Sequence, residues 1–294
     1  MNSRSLSSLL GHLGALCVIM IWGETFVSSK ILLNAGLMPA DIFFYRFLLA
    51  YILIWFVSYK RIWARNKKDE LTFFFLGIAG GSLYFLTENM ALVYSQASNV
   101  SILVSSCPLL TALLLSFYKS ERLNSKQVLG SLLAFVGMVL VVLNGQLVLH
   151  LNPKGDALAL GAALTWAFYS LLMKNVMHRY NSWFITRKVF FYGLLTILPY
   201  YVFVSPLNRD LNILGQPIVY GNILYLGIVA SMLCYLLWNW CMAKLGAVKA
   251  TNYLYLQSLC TMIFAWVILH DRITWMAILG ACLLILGMIR AERK

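Results

Sequence analysis

The sequence predicts an all-α membrane protein of ten transmembrane helices arranged as two inverted five-helix repeats. Three observations carry this expectation. The chain of 294 residues is 61% hydrophobic and 11% charged, with a mean hydropathy of +0.79, which leaves too little polar surface to cover a soluble core. Apolar runs of the ~20 residues a helix needs to cross hydrocarbon recur along its length. The two halves also repeat one pattern 150 positions apart: Glu121-Arg122-Leu123, Gly130 and Gly137-Met138 return as Asp271-Arg272-Ile273, Gly280 and Gly287-Met288.

In the first half, runs fall at roughly 9–33, 40–59, 71–94, 98–118 and 125–143. In the second they fall at roughly 155–176, 181–204, 217–243, 249–269 and 273–290. A β-barrel would show short alternating segments, whereas Val128 to Leu143 is continuously apolar. The first run follows Arg4, as a secretory signal would. It is expected to remain as a helix, because no small-residue cleavage site follows and Glu24 interrupts the place where one would lie. Its Trp22 also has a repeat partner, Trp166, at an offset of 144 that likewise pairs Gly11 with Gly155 and Lys30 with Lys174. Further along, the 150 offset matches Gly77 with Gly227, Asn89 with Asn239 and Ala97 with Ala247. Such self-similarity marks a duplicated unit, and in a membrane protein it points to a transporter with a central site between repeats.

The net charge of +13 fits loop asymmetry better than a nucleic-acid face. With the N-terminus inside, Lys60, Arg61, Arg65, Lys67, Lys68, Lys119, Arg122, Lys126, Arg179, Lys244, Lys249 and Arg290 all fall inside. Only Lys154, Arg209 and Arg272 fall outside. By the positive-inside rule both termini are expected in the cytoplasm, in a bacterial-type inner membrane. A five-helix unit has an odd number of crossings, so its second copy enters inverted.

The six cysteines lie inside apolar runs without C-x-x-C or metal-ligand spacing, and the four histidines are scattered near helix ends. No metal, no cofactor and no nucleic-acid partner is expected. No nucleophile or paired aspartates stand at reactive spacing, so an enzyme is not expected either.

Charges inside the runs are the informative exceptions, since each costs about 2.5–3.5 kcal/mol at a bilayer centre unless it snorkels, pairs or meets water. Lys30, Lys174, Arg187 and Lys188 lie near helix ends and can reach an interface by their stems. Glu24, Arg46 and Glu88 all fall in the outer half, where an acid paired with Arg46 would lock three helices together. Alternatively, a carboxylate in a low-dielectric cavity binds a proton near neutral pH and couples transport to a proton gradient. Glu24, ~5 Å from the midplane by helix rise, is the first candidate and Glu88 the second. Their repeat positions hold Phe168 and Trp238, so acid occurs only in the first copy. Polar and aromatic residues near helix midpoints are the expected cavity lining: Trp22, Tyr84, Asn89, Ser105, Ser106, Trp166, Tyr169, Tyr235, Asn239, Tyr253 and Gln257. Trp22 and Trp166 are expected as paired walls. Asn89 and Asn239 could bond each other, backbone or substrate. The glycines are expected chiefly to allow close helix packing.

Trp22-Gly23, Phe26-Val27, Lys30 and Arg46-Phe47-Leu48-Leu49-Ala50 resemble the first two helices of EamA-type drug/metabolite transporters. Ala91-Leu92, Tyr94, Pro108-Leu109, Thr111-Ala112 and Glu121-Arg122-Leu123 resemble that family's fourth and fifth helices. The resemblance implies one five-helix repeat in 1–146, a second in 147–294, and a central cavity exporting a small metabolite by alternating access. The implied partners are a small-molecule substrate, membrane lipid and protons. Pro108 is replaced by Ser258 in the second copy, so a bend from a missing backbone donor is expected in the fourth helix rather than the ninth. The leading expectation is a proton-coupled exporter of an amino acid-like or amphipathic solute. A facilitator, or a flippase for a lipid-linked group using Arg187 and Lys188, is the alternative.

Overall fold

The computed structural model describes residues 3–59, 62–95, 97–117, 125–143, 152–257, 259–260 and 274–292. Every regular element among them is helical. Helices α1 (Ser3–Asn34) and α2 (Pro39–Val57) form a hairpin. Its turn depends on Gly36, at φ 100°, a conformation that costs glycine least. The Gly36 N–H bonds the Leu33 carbonyl and the Leu37 N–H bonds that of Leu32, which occupies the last orphan carbonyls of α1. Pro39 then opens α2 where its missing N–H has no partner to lose, and the Asp41 carboxylate accepts the Met38 N–H at 3.1 Å.

The third span is one rod interrupted in the middle: α3 (Lys67–Gly77), a π-helical stretch Ile78–Ser82, and α4 (Leu83–Tyr94). Gly81 leaves helical geometry there, at φ −130° and ψ −105°. The fourth span is broken into α5 (Ala97–Val104) and α6 (Cys107–Phe117), with the break at Ser105–Ser106 placing Pro108 in the first turn of α6. Helix α7 (Ser125–Leu143) follows, then α8 (Pro153–Met173) and α9 (Ser182–Phe203). Asn152 and Asn181 cap the last two, accepting the N–H groups of Gly155 at 3.2 Å and Phe184 at 2.8 Å, as N-cap asparagines do. A short α10 (Leu211–Leu214) leads to α11 (Pro217–Leu224), a second π-helical stretch Tyr225–Leu233, and α12 (Cys234–Leu245). Helix α13 (Ala247–Asn252), a 3-10 turn Tyr253–Tyr255 and α14 (Trp275–Glu292) complete the described chain. The repeated pairs Glu121-Arg122 and Asp271-Arg272, Ser258, and residues 261–269 of the ninth run lie outside the described residues.

Five helices are long and apolar enough to cross a membrane, and three shorter apolar helices accompany them among the described residues. Their outward side chains suit lipid rather than water. Phe203 and Trp275 are 84% and 83% exposed, in company with Phe56, Val202 and Leu286, a surface far more apolar than a soluble monomer shows.

Close packing rests on glycine where backbones touch. A Cβ on Gly130 would lie 2.4 Å from the Ala291 nitrogen, and one on Gly137 would lie 2.3 Å from that of Leu284. The contact is reciprocal, since Gly287 meets Ala134 at 2.3 Å and Gly280 meets Val141 at 2.6 Å. Gly130 therefore faces Gly287 and Gly137 faces Gly280, so α7 and α14 run antiparallel along a seam without side chains. Likewise α9 packs onto Gly77 through Tyr192, and α2 onto Gly227 through Leu49.

One end of the bundle is tied by buried charge. Asp69 accepts from Arg179 at 2.7 Å and from the Tyr180 hydroxyl at 2.6 Å. Glu70 accepts from Lys188, from the Tyr192 hydroxyl and from the Ala64 N–H. Lys188 thus does not snorkel to an interface but is neutralised by an acid from the third span. Lys30 is held by the Leu92 carbonyl, and Arg187 lies over the rings of Trp55 and Phe184 at 5.2 and 5.4 Å.

Candidate functional site

Helices from both halves of the chain bring side chains to one central cavity. Trp22 comes from α1, Arg46 from α2, and Tyr84, Phe85 and Glu88 from α4. Trp166 comes from α8, Tyr235 from α12, and Gln257 lies just past the 3-10 turn. The free volume of the cavity is about 30 Å³. That is room for ~2 ordered waters, whereas a metabolite needs a pocket of ~300 Å³ or more. This conformation is closed around its centre.

Aromatic rings do the closing. Trp22 and Trp166 were expected as walls; they meet edge to face, with centroids 5.4 Å apart and an interplanar angle of 89°. Tyr84 packs on Trp166 at 4.9 Å, and Tyr235 on both tryptophans at 5.8 Å. Two of these rings also hold backbone. The Tyr235 hydroxyl donates to the Gly80 carbonyl at 2.6 Å, and the Trp22 indole to the Ala230 carbonyl at 2.9 Å. Both carbonyls belong to π-helical stretches, where the i−4 ladder is broken and carbonyls need new donors.

Charge in the cavity comes from two neighbours. Arg46 is 2% exposed; its Nε donates to the Ser231 hydroxyl at 2.9 Å, and its guanidinium carbon lies 4.3 Å from the Phe85 centroid. Glu88, also 2% exposed, takes the Tyr84 hydroxyl as partner and lies within electrostatic reach of Arg46. Glu24 is placed elsewhere. It is partly buried, accepts from Ser28 at 3.1 Å, and sits beside the Tyr225 hydroxyl, outside the lining. Arg46 and Glu88 thus both line the cavity, and Glu24 does not.

Of the expected lining, Trp22, Tyr84, Trp166, Tyr235 and Gln257 reach the cavity; Asn89, Ser105, Ser106, Tyr169, Asn239 and Tyr253 do not. Asn89 donates to the Pro39 carbonyl at 3.0 Å, tying α4 to the start of α2. Asn239 donates to Thr186 at 2.8 Å and accepts from Tyr169, so this pair braces the wall from behind. Tyr253 pairs with His12. Helical period alone does not separate these positions, because each helix packs against more than one neighbour and only one of its buried faces meets the cavity. Thr25, Phe85, Cys107 and Leu254 line the cavity without having been anticipated; their apolar or small side chains carry no sequence signal beyond that of a core. No cluster of three or more metal-ligating side chains occurs among the described residues.

Comparison with known proteins fits this architecture. The chain is 29% identical to an uncharacterized transporter of Archaeoglobus fulgidus over all of itself and 99% of that protein. It is 28% identical to a probable amino-acid metabolite efflux pump of Salmonella typhimurium, over 93% of this chain and 92% of the other. A pump of the same description from Escherichia coli is 25% identical over 93% and 92%. A solved crystal structure shares the fold, with a TM-score of 0.71 and 17% identity over 99% of this chain and 97% of that one. The model of the EamA-like transporter family matches twice, over residues 9–143 and 153–290. An all-helical apolar bundle closed around an aromatic centre, matched by that family model along nearly its whole length, belongs to the EamA-like transporter family and is an integral membrane transporter.

Proposed function

We propose that this protein is a secondary active exporter of a small amphipathic or amino acid-like solute, working by alternating access and coupled to protons through Glu88. The observation that carries the reading is a buried carboxylate and guanidinium in a central cavity too tight for a solute. A cavity of that size must open to load and release, and an acid that is desolvated when closed and wetted when open changes its proton affinity between the two states. Glu88 takes precedence over Glu24 because it lines the cavity and Glu24 does not.

Two five-helix units, 1–146 and 147–294, inverted with respect to each other and with both termini cytoplasmic, form the proposed frame. The antiparallel glycine seam supports it, since Gly130 and Gly137 meet the partners 150 positions beyond each other, as a pseudo-two-fold axis requires. The names given to the Salmonella and Escherichia relatives support the direction of transport. The half-buried pairs Asp69–Arg179 and Glu70–Lys188 then act as the cytoplasmic gate. Flippase activity is the weaker reading, because Lys188, one of its two head-group cations, is already bound to Glu70.

The test is solute movement in vesicles of the purified chain under an imposed pH gradient. Glu88→Gln should leave the protein folded and abolish the effect of the gradient, while Glu24→Gln keeps it. Gradient-driven transport that survives Glu88→Gln rejects the assignment, and transport insensitive to any gradient in the wild type points to a facilitator.

A further inference from the structure

Beside the Asp69–Arg179 pair, where α2 ends and α9 begins, lies a second recess of about 510 Å³. Its volume falls within the ~300–1,000 Å³ of small-molecule sites, unlike the closed centre. Arg65 and Arg179 bring positive charge to it, Ser58 and Asn181 bring hydrogen-bonding groups, and Val57 and Trp183 form an apolar wall. Of these residues the transport cycle proposed above uses only Arg179.

Positive charge is in excess here. Asp69, the acid at its edge, is bonded to Arg179 at 2.7 Å and to the Tyr180 hydroxyl at 2.6 Å. Arg65 is exposed and, among the described residues, meets no carboxylate; its guanidinium carbon lies 5.7 Å from the Tyr180 ring centroid. Its backbone N–H donates to the Tyr180 hydroxyl at 2.8 Å, which pins this loop against the start of α9. A further cation, Arg187, lies 5.4 Å from the Phe184 ring, which also lines the recess. Lys67 and Lys68 are exposed at the start of α3.

We propose that this recess holds the headgroup of an anionic phospholipid, a resident of the membrane rather than cargo, with Arg65 as the residue that meets its phosphate. A guanidinium fork matches phosphate oxygens. Arg179 is not that residue, because its donors are spent on Asp69 and the Asn175 carbonyl; it contributes charge alone. Position selects a lipid over a free anion. The recess lies at the ends of two apolar helices, at the height of headgroups, where basic side chains attract anionic lipid. Trp183 in its wall is exposed, as are Phe56 and Trp63 close to lining residues in the chain. Aromatic side chains at that depth anchor to the interface, whereas a soluble anion gains nothing from them. The site does not depend on which solute is moved or in which direction.

The test is native mass spectrometry of the full chain released from micelles containing phosphatidylglycerol or phosphatidylcholine. Melting temperature is read in parallel, with glycerol 3-phosphate as a soluble probe. The wild type should retain phosphatidylglycerol about tenfold better than phosphatidylcholine, whose choline neutralises the phosphate; one hydrogen bond to a charged group is worth about that factor. Arg65→Gln should cut the retention about tenfold, and so, independently, should Ser58→Asp, which puts negative charge into the recess. Arg290→Gln, at an exposed arginine of α14, should leave it at the wild-type level. Equal retention of the two lipids, retention unchanged in Arg65→Gln, or equal losses in Arg65→Gln and Arg290→Gln overturns the proposal. A melting temperature raised as far by glycerol 3-phosphate as by phosphatidylglycerol makes this a site for soluble anions and overturns the lipid assignment. Should Arg65→Gln fail to fold, Ser58→Asp decides.

Discussion

The third and eighth spans lie 150 positions apart and interrupt their helices at corresponding places, Ile78–Ser82 and Tyr225–Leu233. Gly80 and Ala230, which correspond at that offset, each give their carbonyl to an aromatic donor from the opposite half of the chain, Tyr235 and Trp22. The backbone device is shared, and the side chains around it are not. Gly80 must be bare because a Cβ there would fall 2.3 Å from the Tyr169 ring, whereas position 230 carries alanine. Gly81 corresponds to Ser231, which holds Arg46, and Glu88 corresponds to the fully buried Trp238. The two spans share a backbone interruption, while the buried acid stands in only one of them.

Four measurements test that contrast, and thermal unfolding in detergent reads them all. The largest effect is expected at Trp238→Ala, which empties a fully buried site and should cost ~3–5 kcal/mol, whereas Glu88→Gln at the corresponding position should alter transport and leave the melting temperature near wild type. A comparable loss at Glu88→Gln would make position 88 a structural brace. Next is Gly80→Ala, expected to cost up to ~3 kcal/mol because the Tyr169 ring must move aside. The reciprocal Ala230→Gly should cost only ~0.5–1 kcal/mol, through helix entropy. Equal losses would mean that the two interruptions are packed alike.

Removing the donors should come third. Tyr235→Phe and Trp22→Phe each strip a π-helical carbonyl of its partner, at ~0.6–2 kcal/mol for a hydrogen bond inside a membrane protein. Matching values would support a shared device, and a loss in one alone would restrict it to one span. The smallest stability change is expected at Ser231→Ala, ~1 kcal/mol or less. Its signature is functional, a weakened transport activity, because Arg46 loses its orientation; unchanged transport would remove Ser231 from the site.

Much of this was legible from residue order. The break in the fourth span follows from Pro108, and the α7–α14 seam from glycines recurring at matched spacing. Arg46 and Glu88 stood out as charges that lipid does not tolerate. Other features were not legible. Glu24 and Glu88 are both single acids in apolar runs, and which of them faces the centre depends on the rotation of each helix about its axis. Asn89 and Asn239 correspond in sequence yet bond to unrelated partners, a backbone carbonyl and a threonine. Glu70 lies among Lys67, Lys68 and Asp69, a stretch resembling an ordinary solvated helix start, so its pairing with Lys188 across 118 positions had no local signal.

By itself the sequence determined that the chain enters a membrane, where several of its helices are capped, and which ionisable side chains demand an explanation. Those properties follow from hydrophobic length, capping and desolvation, all of which act within a few turns of one helix. Only the tertiary structure decided which of those side chains share a cavity and that the aromatic rings close it. Such facts depend on how helices distant in sequence rotate and press against one another, and every buried face of a central helix is equally apolar to local inspection.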